Sequence, residues 1–364
     1  MRRLLFVVFL LAALAAAGLA ILLATPYSGF GNPVFVDIPK GTGTLGMGRK
    51  LQDAGVVRSQ WLFLAARALR PSSSLKAGEY RFDRALTPWQ AMDKIARGDV
   101  FLFTLVVPEG HNMFDIADHL AASQVMSRDA FLEAARDPAL IRDLAPQAPS
   151  LEGYLFPDTY KFQRKTTAQQ LTKMLTDRFR KAWDQAGAPK VSVHDTVTLA
   201  SLVEKEARVA EERSLVASVY ANRLRIGMPL QCDPTTIYAA RLEDRWRGTI
   251  YRSDLDNRNP YNTYQNAGLP PGPIANPGLE AIKAALQPAE SPYLYFVAKA
   301  DGTGAHNFSE ALADHSRAVR QYRRAVAQAK EEQAKGPASV AGPAPAGAGG
   351  PTTPGRAQGS ARTR

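Results

Sequence analysis

The sequence predicts an α+β protein that consists of an N-terminal transmembrane helix, a repeat region, a larger mixed helix–strand region and a disordered tail. Three observations lead to this prediction: one long apolar segment, an internal repeat at a spacing of 69 residues, and an Ala/Gly/Pro-rich C-terminus. Hydrophobic residues make up 45% of the 364 residues and charged residues 22%, so most of the chain should form packed domains.

The first element, residues 4–24, is a run of 21 residues without a charge, preceded by Arg2 and Arg3. A helix of this length spans about 31 Å, enough to cross the roughly 30 Å hydrocarbon core of a bilayer. No Lys or Arg follows until Lys40, so the positive-inside rule predicts a cytoplasmic N-terminus. The bulk of the chain would then lie in the periplasm, anchored in the inner membrane. A signal peptide cleaved after residues 13–15, Ala-Leu-Ala, is the alternative.

Charge and cysteine content narrow the classes of partner. The net charge of +11 and the pI near 9.7 suit nucleic acid, anionic lipid or an acidic polymer such as cell-wall glycan with peptide stems. A location outside the cytoplasm excludes nucleic acid. The five histidines and the single cysteine, Cys232, show no metal-ligand spacing, and we expect no metal and no cofactor.

The repeat follows a short linker. Residues 38–41, Ile-Pro-Lys-Gly, correspond to residues 107–110, Val-Pro-Glu-Gly, and apolar positions match after each turn. Each copy is typical of a strand, a Pro-x-Gly turn and two helices, which defines units at 34–103 and 104–150. The units resemble LysM-like modules, small folds that bind N-acetylglucosamine polymers. Two unrelated strand–turn–helix segments are the alternative.

Helix signals continue along the chain. Thr87 is typical of an N-cap before Pro88, and Gly98 of a residue just beyond the helix end. From residue 151 a third region, 151–335, is richer in aromatic and polar clusters. Its predicted elements are helices at 167–187, 196–225, after Gly278 and at 310–335, with a strand at 293–298. The tail, 336–364, has the composition of a disordered segment.

One helix contains an unexpected carboxylate, in the segment 199–212, LASLVEKEARVAEE. At 100° per residue from Leu199, Glu206 lies at about −20°, in the middle of the apolar stripe. Glu204 lies at about 140°, on the predicted solvent face. A buried carboxylate needs a partner or a functional site. Periodicity leaves two interpretations open: a structural ion pair with Arg213 two turns further on, or a catalytic acid with a raised pKa, at a helix end if the helix breaks.

Three loops dense in aromatic, amide and hydroxyl side chains accompany this glutamate, and such groups are typical of sugar sites. They are 151–160 (LEGYLFPDTY), 230–238 (LQCDPTTIY) and 260–278 (PYNTYQNAGLPPGPIANPG). Ordinary turns are the alternative for each loop. The candidate substrate-binding residues are Tyr154, Gln231, Asp233, Tyr261, Asn262, Thr263 and Tyr264.

These motifs, together with 292–309 (PYLYFVAKADGTGAHNFS), closely resemble the endolytic murein transglycosylases, the YceG-like family. The resemblance extends from about residue 39 to residue 322. It implies a lyase that cuts peptidoglycan strands internally with one glutamate, the second of the Glu-Lys-Glu triplet, which is Glu206 here. Cys232 departs from the family pattern, in which Thr is usual. A cysteine there could alter hydrogen bonding in the groove or add a reactive thiol, and we expect it to play no part in the role of the acid. The resemblance leaves contacts with peptidoglycan synthases open.

A single acid implies a lytic mechanism. Glu206 would protonate the oxygen between N-acetylmuramic acid and N-acetylglucosamine, and the muramoyl 6-hydroxyl would close a 1,6-anhydro ring. Hydrolases instead use two carboxylates, and the acids in the loops that could act as the second are Asp158 and Asp233. Two alternatives stay open: a two-carboxylate muramidase, and a non-catalytic peptidoglycan-binding scaffold.

Overall fold

The computed structural model describes residues 1–71, 74–187 and 191–334. Helices and antiparallel strand pairs alternate along the chain, which confirms the α+β prediction. The tail predicted to be disordered, 336–364, lies outside the described residues. The described residues divide into two compact parts, one up to Leu294 and one that starts at Tyr295.

The apolar segment forms helix α1, Arg2–Ala24, in agreement with the prediction. Within the described residues it is the one helix long and apolar enough to cross a membrane, although a signal sequence has the same properties. Its side chains are mostly exposed, but Leu23 in the last turn is 3% exposed and belongs to the core of the first repeat unit. A bridge between Tyr27 and Leu86 continues this attachment.

The first repeat unit is a β-α-α-β structure made of β1, Val34–Ile38, α2, Thr44–Asp53, α3, Gln60–Leu69, and β2, Gly78–Phe82. The two strands pair antiparallel, and their alternation directs every second side chain towards the helices. Helix α4, Pro88–Arg97, follows the unit. Its predicted ends are confirmed: Thr87 forms a capping box, and Gly98 takes the left-handed conformation.

The second repeat unit reproduces the first. Strand β3, Phe103–Val107, and helix α5, Met113–Ala122, begin 69 residues after β1 and α2, so the predicted repeat is structural. Helix α6, Arg128–Arg136, and a 3₁₀ turn, Pro138–Ile141, come next. The closing strand β4, Asp158–Phe162, pairs with β3 although it lies beyond residue 150, within the third predicted region.

After β4, the third region consists of helices and loops up to Leu294. The helices are α7, Ala168–Gln185, α8, Val193–Glu206, α9, Arg213–Arg225, α10, Asp233–Leu242, α11, Arg252–Leu255, and α12, Leu279–Leu286. Helix α8 contacts α9, α10 and α12, while α7 contacts α12 and α11 contacts α10.

The helical segment predicted over 196–225 is interrupted in the structure, and it starts three residues earlier. Helix α8 ends at Glu206, and Ala207 is extended, with φ −80° and ψ 102°. A 3₁₀ turn, Ala210–Glu212, precedes α9. Ala207 is 5% exposed, so the extended residue is buried at the point where the chain turns. The break places Glu206 at a helix end, which the sequence left open as one possibility.

The C-terminal part contains a hairpin of β5, Tyr295–Ala298, and β6, His306–Ser309, followed by helix α13, Leu312–Ala334. The hairpin turn is stabilised by Asp301, whose carboxylate accepts the Thr303 amide at 3.0 Å. The predicted strand at 293–298 is therefore confirmed, two residues shorter at its start, and the predicted helix is confirmed over most of its length.

Candidate active site

Glu206 is the last residue of α8, and its side chain is partly exposed. The Cys232 thiol donates to Glu206 Oε1 across 3.4 Å. Cys232 is 1% exposed, and burial raises the pKa of its thiol well above the ordinary value, as does the charge of Glu206. The thiol is therefore a proton-bearing donor to the glutamate. The sequence analysis gave Cys232 no part in the role of the acid; the structure places its thiol against Glu206, and an effect on catalysis stays a prediction.

The loop that carries Cys232 is held by its neighbour loop. The backbone N–H of Cys232 donates to Thr263 Oγ1 at 3.0 Å, and that of Gln231 to the Thr263 carbonyl at 3.2 Å. Gln231 takes a left-handed conformation, φ 50°, which is costly for a residue with a Cβ and is maintained by these bonds. Thr263 and Gln231 thus fix the thiol opposite Glu206.

Tyr220, on α9, is a third member of the cluster that the sequence analysis missed. It is 1% exposed, and burial raises the pKa of its hydroxyl well above the ordinary value, with further contributions from Cys232 and Glu206. The hydroxyl also hydrogen-bonds to Cys232. Because α9 has a weak amphipathic pattern, the sequence gives no signal that Tyr220 lies beside Cys232.

The open side of the cluster is polar. Tyr264 donates to Asp233 Oδ1 at 2.6 Å, and Asp233 and Gln231 are exposed. Burial, the bond to Asp233 and the nearby charge of Glu206 raise the pKa of Tyr264. An acid at a helix end, with a Tyr–Asp pair and an amide beside it, can transfer a proton to a polar polymer that approaches from solvent.

The comparison with known proteins decides the family. The sequence model of the YceG-like family matches residues 36–321. The chain belongs to the YceG-like family. The resemblance drawn from the motifs is thereby confirmed, and the matched range includes Glu206 and all the candidate binding residues.

Individual relatives of the chain support the same family. The chain is 32% identical over 309 residues to an endolytic murein transglycosylase of Bacillus subtilis, covering 79% of this chain and 84% of that protein. It is 30% identical over 325 residues to a protein of the same name from Streptococcus pneumoniae, and there it spans 58% of the relative's length. A crystal structure of a YceG-like protein of Listeria monocytogenes is 32% identical, with a TM-score of 0.51 over 79% of this chain and 99% of that one.

Four of the predicted substrate-binding residues of this YceG-like chain are buried. Tyr154 is 0% exposed, and its hydroxyl lies 3.2 Å from His194 Nδ1. Asn262 is also 0% exposed, and its amide donates to three backbone carbonyls of the segment 254–257. Tyr261 and Thr263 are similarly buried. These side chains make internal contacts that support the loops. Substrate contact stays a prediction for all seven residues, and accessibility favours Gln231, Asp233 and the half-buried Tyr264.

The predicted solvent position of Glu204 is wrong. Its side chain is 7% exposed, accepts the Gly278 backbone N–H at 3.0 Å and lies 4.0 Å from Arg213. Burial raises the pKa of Glu204, against the opposing effects of the Gly278 bond and Arg213. Helical periodicity suggested an ion pair between Arg213 and Glu206. In the structure Arg213 instead pairs with Glu204 and Glu109.

The two candidates for a second catalytic carboxylate, Asp158 and Asp233, lie in different surroundings. Asp158 is exposed and pairs with Arg178 at 2.6 Å. The Thr159 amide and Arg178 hold the pKa of Asp158 below its ordinary value, so it is a structural anion on β4. Asp233 adjoins Cys232 and belongs to the Glu206 cluster. The two-carboxylate alternative therefore rests on Asp233.

Glu152 is a buried carboxyl group that the sequence analysis did not single out. Glu152 is 1% exposed and accepts the Met113 amide at 2.9 Å and the Asn276 side-chain amide at 3.1 Å. Burial raises the pKa of Glu152 to about 8, against the lowering effects of the Met113 and Tyr238 bonds. Its partners lie far away in the sequence, and no local pattern indicates its burial.

Proposed function

We propose that this chain is a membrane-anchored endolytic lytic transglycosylase of peptidoglycan. It cleaves the bond between N-acetylmuramic acid and N-acetylglucosamine inside nascent strands, leaves 1,6-anhydro-muramic acid ends and so ends strand elongation. The observation that carries the proposal is the position of Glu206, at the end of α8 between the buried thiol of Cys232 and the open side formed by Asp233 and Tyr264. The names of the relatives support the reaction class.

The chemistry needs one proton carrier. Protonated Glu206 donates its proton to the glycosidic oxygen, and the bond from that oxygen to muramoyl C1 breaks with its electron pair going to oxygen. The neighbouring N-acetyl group stabilises the cationic C1. The 6-hydroxyl then attacks C1, and the Glu206 carboxylate takes the hydroxyl proton, which restores the acid. The reaction consumes no water, and the Cys232 thiol keeps the carboxyl oriented.

The anchor and the repeats complete the proposal. Helix α1 spans the inner membrane with the N-terminus in the cytoplasm and the rest of the chain in the periplasm, supported by its length, its apolar composition and the preceding arginines. The two repeat units are LysM-like and bind glycan strands. Peptidoglycan synthases are the protein partners that a strand-terminating enzyme would meet.

The reaction is tested by mass spectrometry of the products released from purified sacculi and from strands with blocked termini. We expect 1,6-anhydro ends, one water lighter than hydrolytic ends, from strand interiors. Reducing ends would instead support the two-carboxylate muramidase with Asp233 as the second acid. Binding without cleavage would support the scaffold.

Replacement of the acid tests the site. Glu206→Gln keeps the shape and removes the proton donor, so turnover should fall about 10²–10⁴-fold or more, since one group performs both proton transfers. Glu211→Gln, an exposed glutamate on the following turn, is the matched control and should keep wild-type turnover. Full activity in Glu206→Gln would overturn the assignment.

A further inference from the structure

Three charged side chains from separate elements meet behind the helix that ends at Glu206. Arg213, at the start of α9, lies 4.0 Å from Glu204 and 4.0 Å from Glu109. Glu109 belongs to the Pro-x-Gly turn of the second repeat unit, between β3 and α5. The side chains of Glu204 and Arg213 are 7% and 17% exposed, and that of Glu109 is 52% exposed. We call these three residues the clamp.

Backbone contacts reinforce the clamp from both sides. Lys205 Nζ donates to the Gly110 carbonyl at 3.1 Å, which ties the last turn of α8 to the same turn of the repeat unit. The Gly278 N–H donates to Glu204, and the Glu109 carboxyl lies so close over Gly278 that a Cβ there would be 1.9 Å from Oε1. A side chain at residue 278 would displace the Glu109 carboxyl, so the turn and the start of α12 lie in close contact.

The last turn of a helix needs such support. Its final carbonyls have no intrahelical partner, and helix ends fray. Glu204 and Lys205 directly precede Glu206 in α8, and both lie against the turn of the second repeat unit. Holding both of them fixes the backbone from which Glu206 projects.

We propose that the clamp is a positioning device, through which the turn of the second repeat unit holds Glu206 in its working orientation. The second unit is then part of the catalytic body as well as a candidate glycan-binding module. The inference deepens the proposed function and rests on it for its effect on turnover. The effect of the clamp on the helix end does not depend on that function.

The first repeat unit offers a matched position. Lys40 occupies the place of Glu109 in the equivalent turn and is exposed. Lys40→Gln and Glu109→Gln therefore remove one charge each from the same kind of turn. Both side chains are exposed enough that neither change should prevent folding.

The test uses the full chain and two measurements. The first is amide hydrogen exchange of the peptide 200–212 followed by mass spectrometry, and the second is kcat and KM on soluble glycan strands. In Glu109→Gln we expect faster exchange of this peptide and a kcat lowered about tenfold, with KM within about twofold, since small displacements of a catalytic group are costly. Lys40→Gln should change neither quantity.

A second variant tests whether the three residues act together. Arg213→Met should lower kcat further, and adding Glu109→Gln to it should cost less than the single changes predict, because both remove the same interaction. Unchanged exchange, or faster exchange with unchanged kcat, would overturn the clamp as a positioning device. If the wild type releases no anhydro ends while Glu109→Gln still accelerates exchange, the proposed function fails and the structural role of the clamp stands.

Discussion

The two repeat units have the same local structure and different surroundings. In each, the residue after the Pro-x-Gly turn donates its backbone N–H to the proline carbonyl: Thr42 to Pro39 at 3.1 Å, and His111 to Pro108 at 3.3 Å. The surroundings of the two turn glycines differ. A Cβ added to Gly41 would meet no other atom within 4 Å, whereas a Cβ added to Gly110 would touch Glu204 and Lys205. The first turn faces solvent, and the second is docked on the helix that carries the proposed acid.

The closing strands differ as well. Strand β2 follows α3 after a short loop, but β4 follows α6 only after the segment 137–157, which contains the buried Glu152. Asn276 joins that segment to the second turn: it accepts the N–H groups of Gly153 and Leu155 and donates to the His111 carbonyl. A repeated sequence therefore specifies the unit, while insertions and partners decide whether its turn faces solvent or packs against α8.

The largest expected effect on stability comes from removing the hydrogen bonds of the Asn276 side chain. Asn276→Ala leaves several buried polar groups without partners, each costing about 1–3 kcal/mol, so we expect a loss of about 4 kcal/mol in the free energy of unfolding. Urea denaturation measures it. Thr42→Ala, in the equivalent turn of the first unit, should cost less than about 1 kcal/mol. Equal losses would contradict the difference between the two turns.

A smaller effect should depend on pH. Because the folded pKa of Glu152 is raised from 4.5 to about 8, the folded state binds more protons than the unfolded state between these values. The contribution of Glu152 is therefore fully present below pH 4.5 and is lost as pH rises towards 8, with a slope of at most about 1.4 kcal/mol per pH unit.

Glu152→Gln removes this titration and keeps an acceptor for the Met113 amide. From pH 5 to pH 8, the stability of the wild type should fall relative to that of the variant by up to a few kcal/mol. Urea unfolding of both proteins at each pH provides the measurement. A constant difference would show that Glu152 stays ionised in the fold.

The smallest effect concerns the contact between the two units. Arg164, just after β4, lies 3.3 Å from Glu79 of β2, and its guanidinium stacks 4.0 Å over the ring of Phe35. The pair is half-exposed, so Arg164→Ala should cost about 1 kcal/mol in the free energy of unfolding. The kcat on soluble strands should stay within twofold of wild type. A fall in kcat comparable to that of Glu109→Gln would mean that the first unit also supports the site.

Local chemistry was predictable because it depends on neighbours in the sequence. The capping box at Thr87, the left-handed Gly98 and the 69-residue repeat each follow from residues within one turn or one unit. The helical periodicity alone also indicates Glu206 as an inward acid. That choice agrees with the family motif, and its catalytic role remains a prediction.

Helical periodicity misplaced Glu204 for a physical reason. Periodicity assumes that one side of a helix faces a core and the other faces water, whereas α8 meets partners on both sides. Gly278 and Arg213 contact Glu204, and Gly110 contacts Lys205, so the side predicted to be solvated is covered. Tyr154 and Asn262 show the same limit of local patterns, because aromatic and amide side chains occur in buried loops as readily as in sugar sites.

The sequence by itself determined the anchor-like helix, the repeated units, the family and the glutamate, since each is specified by composition, spacing or a contiguous motif. Tertiary structure alone decided that the thiol of Cys232 faces Glu206, that burial raises the pKa of Glu152, and that one repeat turn lies against α8 while its twin faces solvent. These features depend on contacts between residues 26 to 124 positions apart, and the desolvation that gives them their chemistry exists only once those segments pack together.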